Sequence, residues 1–195
     1  MSPNVDLRVR RTQAAIRDAF MELIVTHGFD KVTVRDVAAR AGINRATFYR
    51  HFQDIHDLAH RLTDVLFADI TAQIDSQPLT GDPSGWQLLF EHVAQYAPFY
   101  RATLGPGGIP GFRERVREAV EQQMLRLLRA NGYDGAHSRM PPPLPVRYLA
   151  AAQVGFIQWW LEQDMPFPPA EAAAYLLQLH LHGGSRALGL ETGHG

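Results

Sequence analysis

Residues 33–52 carry a dense series of helix signals and read TVRDVAARAGINRATFYRHF. Thr33 and Asp36 predict a capping box at a helix start, with Asp in place of the usual Glu or Gln. The helix that follows is expected to stop at Gly42, because glycine adopts the left-handed conformation that ends many helices. Asn44 is a good N-cap for a second helix. The pattern therefore predicts two short helices joined by a tight turn, a helix-turn-helix.

The second helix, predicted from Asn44 through Phe52, has two faces of different character. Phe48 and Phe52 stand four residues apart, so they share one face and are expected to be buried. The opposite face carries Arg45, Ala46, Thr47, Tyr49, Arg50 and His51. This face offers hydrogen-bond donors, a methyl surface and an aromatic hydroxyl, and it contains no acid. Such a face favours entry into a DNA major groove over the alternative of an ordinary solvated basic face.

Charge is distributed unevenly along the chain of 195 residues. Residues 1–56 contain nine Arg or Lys and six Asp or Glu, so their net charge is +3. Residues 57–195 contain ten basic and fourteen acidic groups, a net charge of −4. A basic N-terminal part followed by an acidic body predicts a polyanionic partner at the N-terminal end only.

Composition excludes several classes of protein. Cysteine is absent, which rules out disulfides, thiolate metal sites and cysteine nucleophiles. The N-terminal residues are polar and basic and lack the apolar region of a secretory signal. No apolar run approaches the roughly 18 residues of a membrane helix. The expectation is a soluble cytoplasmic protein with no membrane partner and no cofactor.

Apolar residues recur at helical spacing nearly throughout, which predicts an all-α fold of eight or nine helices. Residues 1–54 are expected to form a three-helix DNA-binding domain, and residues 55–195 a helical ligand-binding and dimerisation domain. Asp54 is the expected cap of a fourth helix, from Ile55 to about Ile74. Later helices are predicted at residues 86–102, 110–130, 146–163 and 170–188, and loops at residues 77–85, 105–108 and 132–145.

Residues 8–58 resemble the DNA-binding domain of the TetR (tetracycline-repressor) family of bacterial regulators. Their matching motifs are TVRDVA at 33–38, Ala41-Gly42, and TFYRHF at 47–52, with Gly28-Phe29 before them. The resemblance implies base contacts from Arg35, Arg45 and Ala46. It implies phosphate contacts from Thr33, Thr47, Tyr49 and His51, and Asn44 and Arg50 complete the predicted DNA-binding set. It also implies a homodimer whose reading helices enter successive major grooves of palindromic operator DNA, about 34–36 Å apart.

The start of the fourth helix departs from the family pattern. The family often places a lysine there to hold a phosphate, whereas this sequence has Ile55, followed by His56. His56 and His60 stand at a spacing that can seat a divalent metal, with Asp57 and Asp64 nearby. A solvated helix face explains the same residues without a metal, and no metal site is predicted.

The C-terminal half resembles the family less. PFYRATL at 98–104 and GFIQWWL at 155–161 are similar to a subgroup of TetR-like C-terminal domains, some of which act as activators in dihydroxyacetone-kinase operons. By analogy with the family, the last two helices form an intersubunit four-helix bundle. The predicted dimer interface consists of Tyr148, Ala152, Phe156, Trp159, Tyr175, Leu176 and Leu179.

Aromatic residues of the C-terminal half admit two interpretations. They fill the core in one, and they line a pocket for a small-molecule effector in the other. The candidate pocket residues are Phe90, Tyr96, Phe99, Tyr100, Arg101 and Trp160. Arg101 follows two aromatic residues, where it either neutralises an acidic effector, lies exposed or pairs with a nearby carboxylate.

The sequence thus predicts a transcription regulator, most simply a repressor that an effector of unidentified chemistry releases from operator DNA. An activator and a constitutive DNA-binding dimer without effector remain open. A helical enzyme is disfavoured, because the sequence contains no paired carboxylates, nucleophile motif or cofactor fingerprint at usable spacing.

Overall fold

The computed structural model describes residues 3–74, 83–105, 108–130, 132, 140–141 and 143–188. Its elements are α1 (Pro3–His27), a 3-10 turn (Phe29–Lys31), α2 (Val34–Arg40), α3 (Arg45–Tyr49), α4 (Ile55–Ile74), α5 (Ser84–Gln95), α6 (Ala97–Leu104), α7 (Phe112–Ala130), α8 (Pro143–Glu162) and α9 (Pro169–Ala187). No strand occurs among these residues, so the all-α prediction is confirmed. No helix in the described ranges is long and apolar enough to cross a bilayer.

The chain divides into two compact units. The first unit contains residues 1–67 and 98–112, and the second contains residues 68–97 and 113–195. The helix-turn-helix segment therefore shares its unit with the first part of α4 and with α6. The domain boundary predicted after residue 54 falls at the start of α4, whose residues belong to both units.

The first unit is built on apolar residues that recur at helical spacing. Ile16, Phe20 and Ile24 form one stripe of α1 and are at most 1% exposed. Phe48 of α3 and Leu58 of α4 are completely buried. Burying a side chain of this size contributes roughly 1.5–3 kcal/mol. Packing of this kind holds a five-residue helix that is too short to persist alone.

The turn between α2 and α3 is a Schellman motif. The amide of Ile43 donates to the carbonyl of Ala38 over 3.0 Å, and the amide of Gly42 donates to Ala39 over 3.2 Å. Gly42 has a φ of +67°, the left-handed region that glycine occupies without strain. The sequence prediction that α2 stops at Gly42 is confirmed.

Several helix boundaries differ from the sequence prediction. The helix predicted at residues 86–102 is two helices, α5 and α6, because Pro98 has no amide hydrogen to donate to the carbonyl of Ala94. α5 begins at Ser84 inside the predicted loop, and α8 begins at Pro143, where a proline suits the first helical position. Of the predicted loop residues, 77–82, 106–107, 133–139 and 142 lie outside the described residues.

Three other helix ends also differ from the prediction. α3 is shorter than predicted and ends at Tyr49, followed by a turn in which the amide of Phe52 donates to the carbonyl of Phe48 over 3.0 Å. α7 begins at Phe112, two residues after the predicted start. Near the end of α9, Gly183 leaves the helical conformation with a φ of 73°.

A closed corner joins α8 to α9 in the second unit. The indole nitrogen of Trp160 donates to the carbonyl of Phe167 over 2.9 Å, and the amide of Met165 donates to the carbonyl of Trp160 over 2.8 Å. Trp160 is fully buried. Its ring meets Phe90 of α5 edge to face at 5.1 Å between centroids. This corner fixes α8 and α9 against α5.

Replacing Gly42 tests the turn that positions α3. Gly42→Ala is expected to lower the free energy of unfolding by about 1–2 kcal/mol, because alanine is strained at positive φ. Gly42→Asn should cost less, since asparagine tolerates this conformation. Urea unfolding followed by circular dichroism measures both variants. Equal stability of Gly42→Ala and the native chain would contradict the assigned turn.

Candidate functional site

Side-chain caps fix the starts of α2 and α3. The Oδ1 atom of Asn44 accepts from the amide of Thr47 over 2.7 Å, which confirms the predicted cap of α3. At α2, the amide of Asp36 donates to the Thr33 hydroxyl and the amide of Thr33 donates to the Asp36 carboxylate, each over 3.3 Å. The predicted capping box is therefore confirmed.

The outer face of α3 is directed into solvent. Phe48 and Phe52 lie beneath it, 0% and 4% exposed, with their ring centroids 5.7 Å apart. Tyr49 is 57% exposed and its ring meets Phe48 edge to face. The predicted residues Asn44, Arg45, Ala46 and Arg50 are exposed, and Thr47 and His51 are half-buried. We call the surface of residues 44–47 and 49–51 the reading face.

A hydrogen bond orients Arg50 on the reading face. Its guanidinium donates to the Thr47 hydroxyl over 2.8 Å. Because a guanidinium carries five donors, four remain available to another acceptor. The sequence reasoning named both residues but missed this bond; their spacing of three along a helix was the signal for it.

Thr33 and Arg35 lie at the start of α2, and both are exposed. The Thr33 hydroxyl donates to the Asp36 carboxylate over 2.6 Å, and this bond lowers the pKa of Asp36. Contact between Thr33 and a phosphate therefore requires this bond to be exchanged. Arg35 lies 3.7 Å from Asp36 and its side chain is 78% exposed, so this weak pair leaves it accessible.

At the start of α4, Ile55 stands where the family often has a lysine, and the neighbouring His56 is exposed. Ile55 is buried, and the ring of His56 packs edge-on against Phe29 at 5.0 Å between centroids. Asp57 accepts from the guanidinium of Arg61 over 2.9 Å. The sequence missed this ion pair, which the i, i+4 spacing of opposite charges indicates. Within the described ranges, no group of three His, Asp or Glu residues is arranged to hold a metal.

The predicted pocket residues are divided between the two units. Phe99, Tyr100 and Arg101 belong to the first unit, where Phe99 and Tyr100 are buried and Arg101 is exposed. Phe90, Tyr96 and Trp160 belong to the second unit, and only Tyr96 of these three is half-buried. Phe99 packs against Phe112, as a core residue does.

The predicted interface residues on α8 and α9 are mostly exposed. The large apolar ones are Tyr148, Trp159, Tyr175 and Leu179, with exposed fractions of 69%, 46%, 42% and 37%. Ala152 is also exposed. Two members of the predicted set differ: Leu176 is 1% exposed inside its own unit, and half-buried Phe156 packs on Phe90. We call the four large exposed side chains and Ala152 the α8–α9 stripe.

Two family models match the chain. The model described as bacterial regulatory proteins of the tetR family matches residues 16–62, which include the capping box, the Schellman turn and the reading face. A second model, described as a transcriptional regulator C-terminal region, matches residues 83–181, more than half of the chain.

Relatives and solved structures agree with these models. A curated relative, the dhaKLM operon activator DhaS of Lactococcus lactis, is 29% identical over 94 residues, which are 46% of this chain and 47% of DhaS. This chain spans less than half the length of the curated relatives that it matches.

Two solved structures share the fold. A TetR regulator of Streptococcus agalactiae matches with a TM-score of 0.69 at 24% identity, over 90% of this chain and 96% of that one. The regulator FadR of Bacillus subtilis, solved in complex with stearoyl-CoA, matches with a TM-score of 0.65 at 14% identity, over 88% and 98% of the two chains.

A substitution at Asn44 can change the charge of the reading face and still leave α3 with a side-chain cap. Asn44→Asp keeps a capping oxygen but introduces an acid, so stability should hold within about 0.5 kcal/mol while affinity for duplex DNA falls. Asn44→Ser, a neutral cap, serves as the matched control and should retain affinity. Thermal unfolding and fluorescence anisotropy at low salt measure the two properties. Unchanged affinity of Asn44→Asp would show that this surface does not approach phosphates.

Proposed function

The chain belongs to the TetR family of bacterial transcription regulators, and from this premise we propose that it is a ligand-responsive repressor that binds palindromic operator DNA as a homodimer. The single observation that carries the proposal is the reading face, which is free of acids and held outward by Phe48 and Phe52. Selection of bound sequences from random duplex DNA tests it. The expected product is a palindrome with half-sites one helical turn apart.

The reading face divides into residues with different proposed tasks. Arg45 and Ala46 occupy the N-terminal turn of α3, the part of a reading helix that meets base edges. Thr47, Tyr49 and Arg50 carry hydroxyl or guanidinium donors suited to phosphates. The Thr47–Arg50 bond keeps two of these donors together, so both can be directed at one stretch of backbone.

Two substitutions separate base reading from phosphate binding. Arg45→Ala is expected to relax preference at one base position of the half-site, at a cost of about 1–3 kcal/mol on the selected operator. Tyr49→Phe should weaken binding to operator and random DNA alike, because it removes a phosphate donor only. Anisotropy titrations measure the ratio of the affinity for the operator to the affinity for random DNA. Equal losses on the two duplexes for Arg45→Ala would remove it from the base contacts.

The α8–α9 stripe supports the proposed homodimer. Large apolar side chains exposed together mark interaction surfaces, and a second copy of the chain presents the same stripe. Ala152 stands one turn from exposed Tyr148 on the same face of α8. This alternation of small and large side chains suits packing of helices against a partner.

Acidic substitutions on the α8–α9 stripe test the proposed dimer. Tyr148→Glu and Leu179→Glu are each expected to weaken dimerisation by about 2 kcal/mol or more, roughly thirtyfold, because a carboxylate is costly in an apolar interface. Val25→Glu, at an exposed apolar residue of α1, is the matched control. Sedimentation velocity across a concentration series measures the monomer fraction. Persistence of the dimer in both stripe variants would place the interface elsewhere.

Release by an effector is the remaining part of the proposal. FadR of Bacillus subtilis carries stearoyl-CoA in its solved structure, which supports a ligand site in the shared fold. Effector binding must favour a conformation whose reading faces fit the operator less well. Lowering occupancy a hundredfold requires a coupling free energy of about 2.7 kcal/mol, within the usual range for allostery.

DhaS favours a second candidate function, because its printed name makes it an operon activator. The sign of regulation is tested with a reporter gene placed behind the selected operator. Repression predicts that deletion of the regulator raises expression, and activation predicts that deletion lowers it. Expression unaffected by every ligand tried, with DNA binding intact, would favour the constitutive dimer.

A further inference from the structure

The N-terminal part of α1 carries three arginines that lie outside the reading face. Arg8, Arg10 and Arg11 are all exposed, whereas the buried stripe of this helix begins only at Ile16. Val9, two turns before Ile16 on the same face, is still 37% exposed. This part of α1 is therefore a helical segment that extends past the buried core of the first unit.

Two of these arginines lie on the side of α1 that contacts α2. Residues three and four apart share one face of a helix, and positions 8, 11, 15, 18 and 22 follow this spacing. At the end of this series, the carboxylate of Glu22 accepts from the guanidinium of Arg40 at the end of α2. Arg8 and Arg11 therefore share the face that makes this contact, whereas Arg10 stands on a different face.

The same ion pair indicates how far the two arginines lie from the reading face. Arg40 ends α2, and the reading face begins at Asn44, directly after the turn. Arg11 and Arg8 precede Glu22 by eleven and fourteen residues, about 16 and 21 Å along a helix. A DNA major groove is about 12 Å wide and has a phosphate backbone on each side. Guanidinium groups at this distance can therefore meet the backbone beside a groove that α3 occupies.

We propose that Arg8 and Arg11 form a second DNA-binding surface, which binds phosphate oxygens beside the groove that the reading face enters. This α1 surface rests on the proposed function, because it adds a contact to the same duplex. A guanidinium can donate to two phosphate oxygens at once, which favours arginine at such a contact. Phosphate contacts carry no sequence information, so the α1 surface adds affinity and orientation but no choice of operator.

The charges around the α1 surface favour DNA as its occupant. No ion pair among the described residues engages Arg8 or Arg11, whereas Arg40 is held by a carboxylate. Asp18, two turns from Arg11 on the same face, is an exposed acid and limits the basic surface on that side. An acidic surface of a second copy is the competing occupant, since residues 57–195 have a net charge of −4. Duplex DNA attracts more strongly, because it carries one negative charge per about 1.7 Å of its axis.

Arg10 and Arg11 provide a matched test, because they are adjacent, exposed and equally charged but stand on different faces. Arg11→Gln is expected to reduce the slope of log affinity against log salt by about 0.9, the value for one lost phosphate contact. Arg10→Gln should reduce it by less than half as much. The double variant Arg8→Gln/Arg11→Gln should lose about 1.8 of the slope and bind at least about tenfold more weakly at low salt. Anisotropy titrations of the full chain on a random duplex measure the slopes.

Two further measurements separate charge from folding and from dimerisation. Arg8→Lys/Arg11→Lys keeps both charges and should keep most of the slope, because lysine also binds phosphate. Circular dichroism should show the same helix content in every variant, since the substituted side chains are exposed. Equal slope changes for Arg10→Gln and Arg11→Gln, or an unchanged slope in the double glutamine variant, would overturn the α1 surface. Loss of the dimer by that variant in sedimentation velocity, with the slope intact, would assign the arginines to a second copy instead.

The random duplex keeps this test apart from the proposed function. A native chain that binds random DNA with a slope indifferent to the arginines would reject the α1 surface and leave the regulator standing. A slope that depends on Arg8 and Arg11, without any palindrome selected from random DNA, would keep the surface and reject the operator-specific repressor. A native chain that binds no duplex at low salt would reject both.

Discussion

Burial of Phe48 beneath α3 is the constraint on which the reading face depends. α3 has five residues, far fewer than an isolated helix needs to persist in water. It is held by one buried aromatic ring, one side-chain cap from Asn44 and one Schellman turn at Gly42. Because the ring faces the core, the opposite residues have no orientation open to them except toward solvent. The exposed surface is thus a consequence of how the core closes.

Three acids of the first unit are engaged in holding this geometry. Asp36 completes the cap of α2, Asp57 holds Arg61, and Glu22 of α1 pairs with Arg40 at the end of α2. Two of the nearby arginines are thereby tied to carboxylates, whereas the reading face carries Arg45 and Arg50 with no acid beside them. The net charge of +3 over residues 1–56 understates the local positive potential there, since attraction to phosphates acts over short distances in salt.

Local signals were predictable from the sequence, and distant pairings were not. The capping box at Thr33, the cap at Asn44 and the turn at Gly42 each depend on residues within a few positions, so the pattern alone identified them. The break between α5 and α6 was missed although Pro98 marks it. His180 of α9 stacks on Trp86 of α5, and no spacing rule connects two residues so far apart in the sequence.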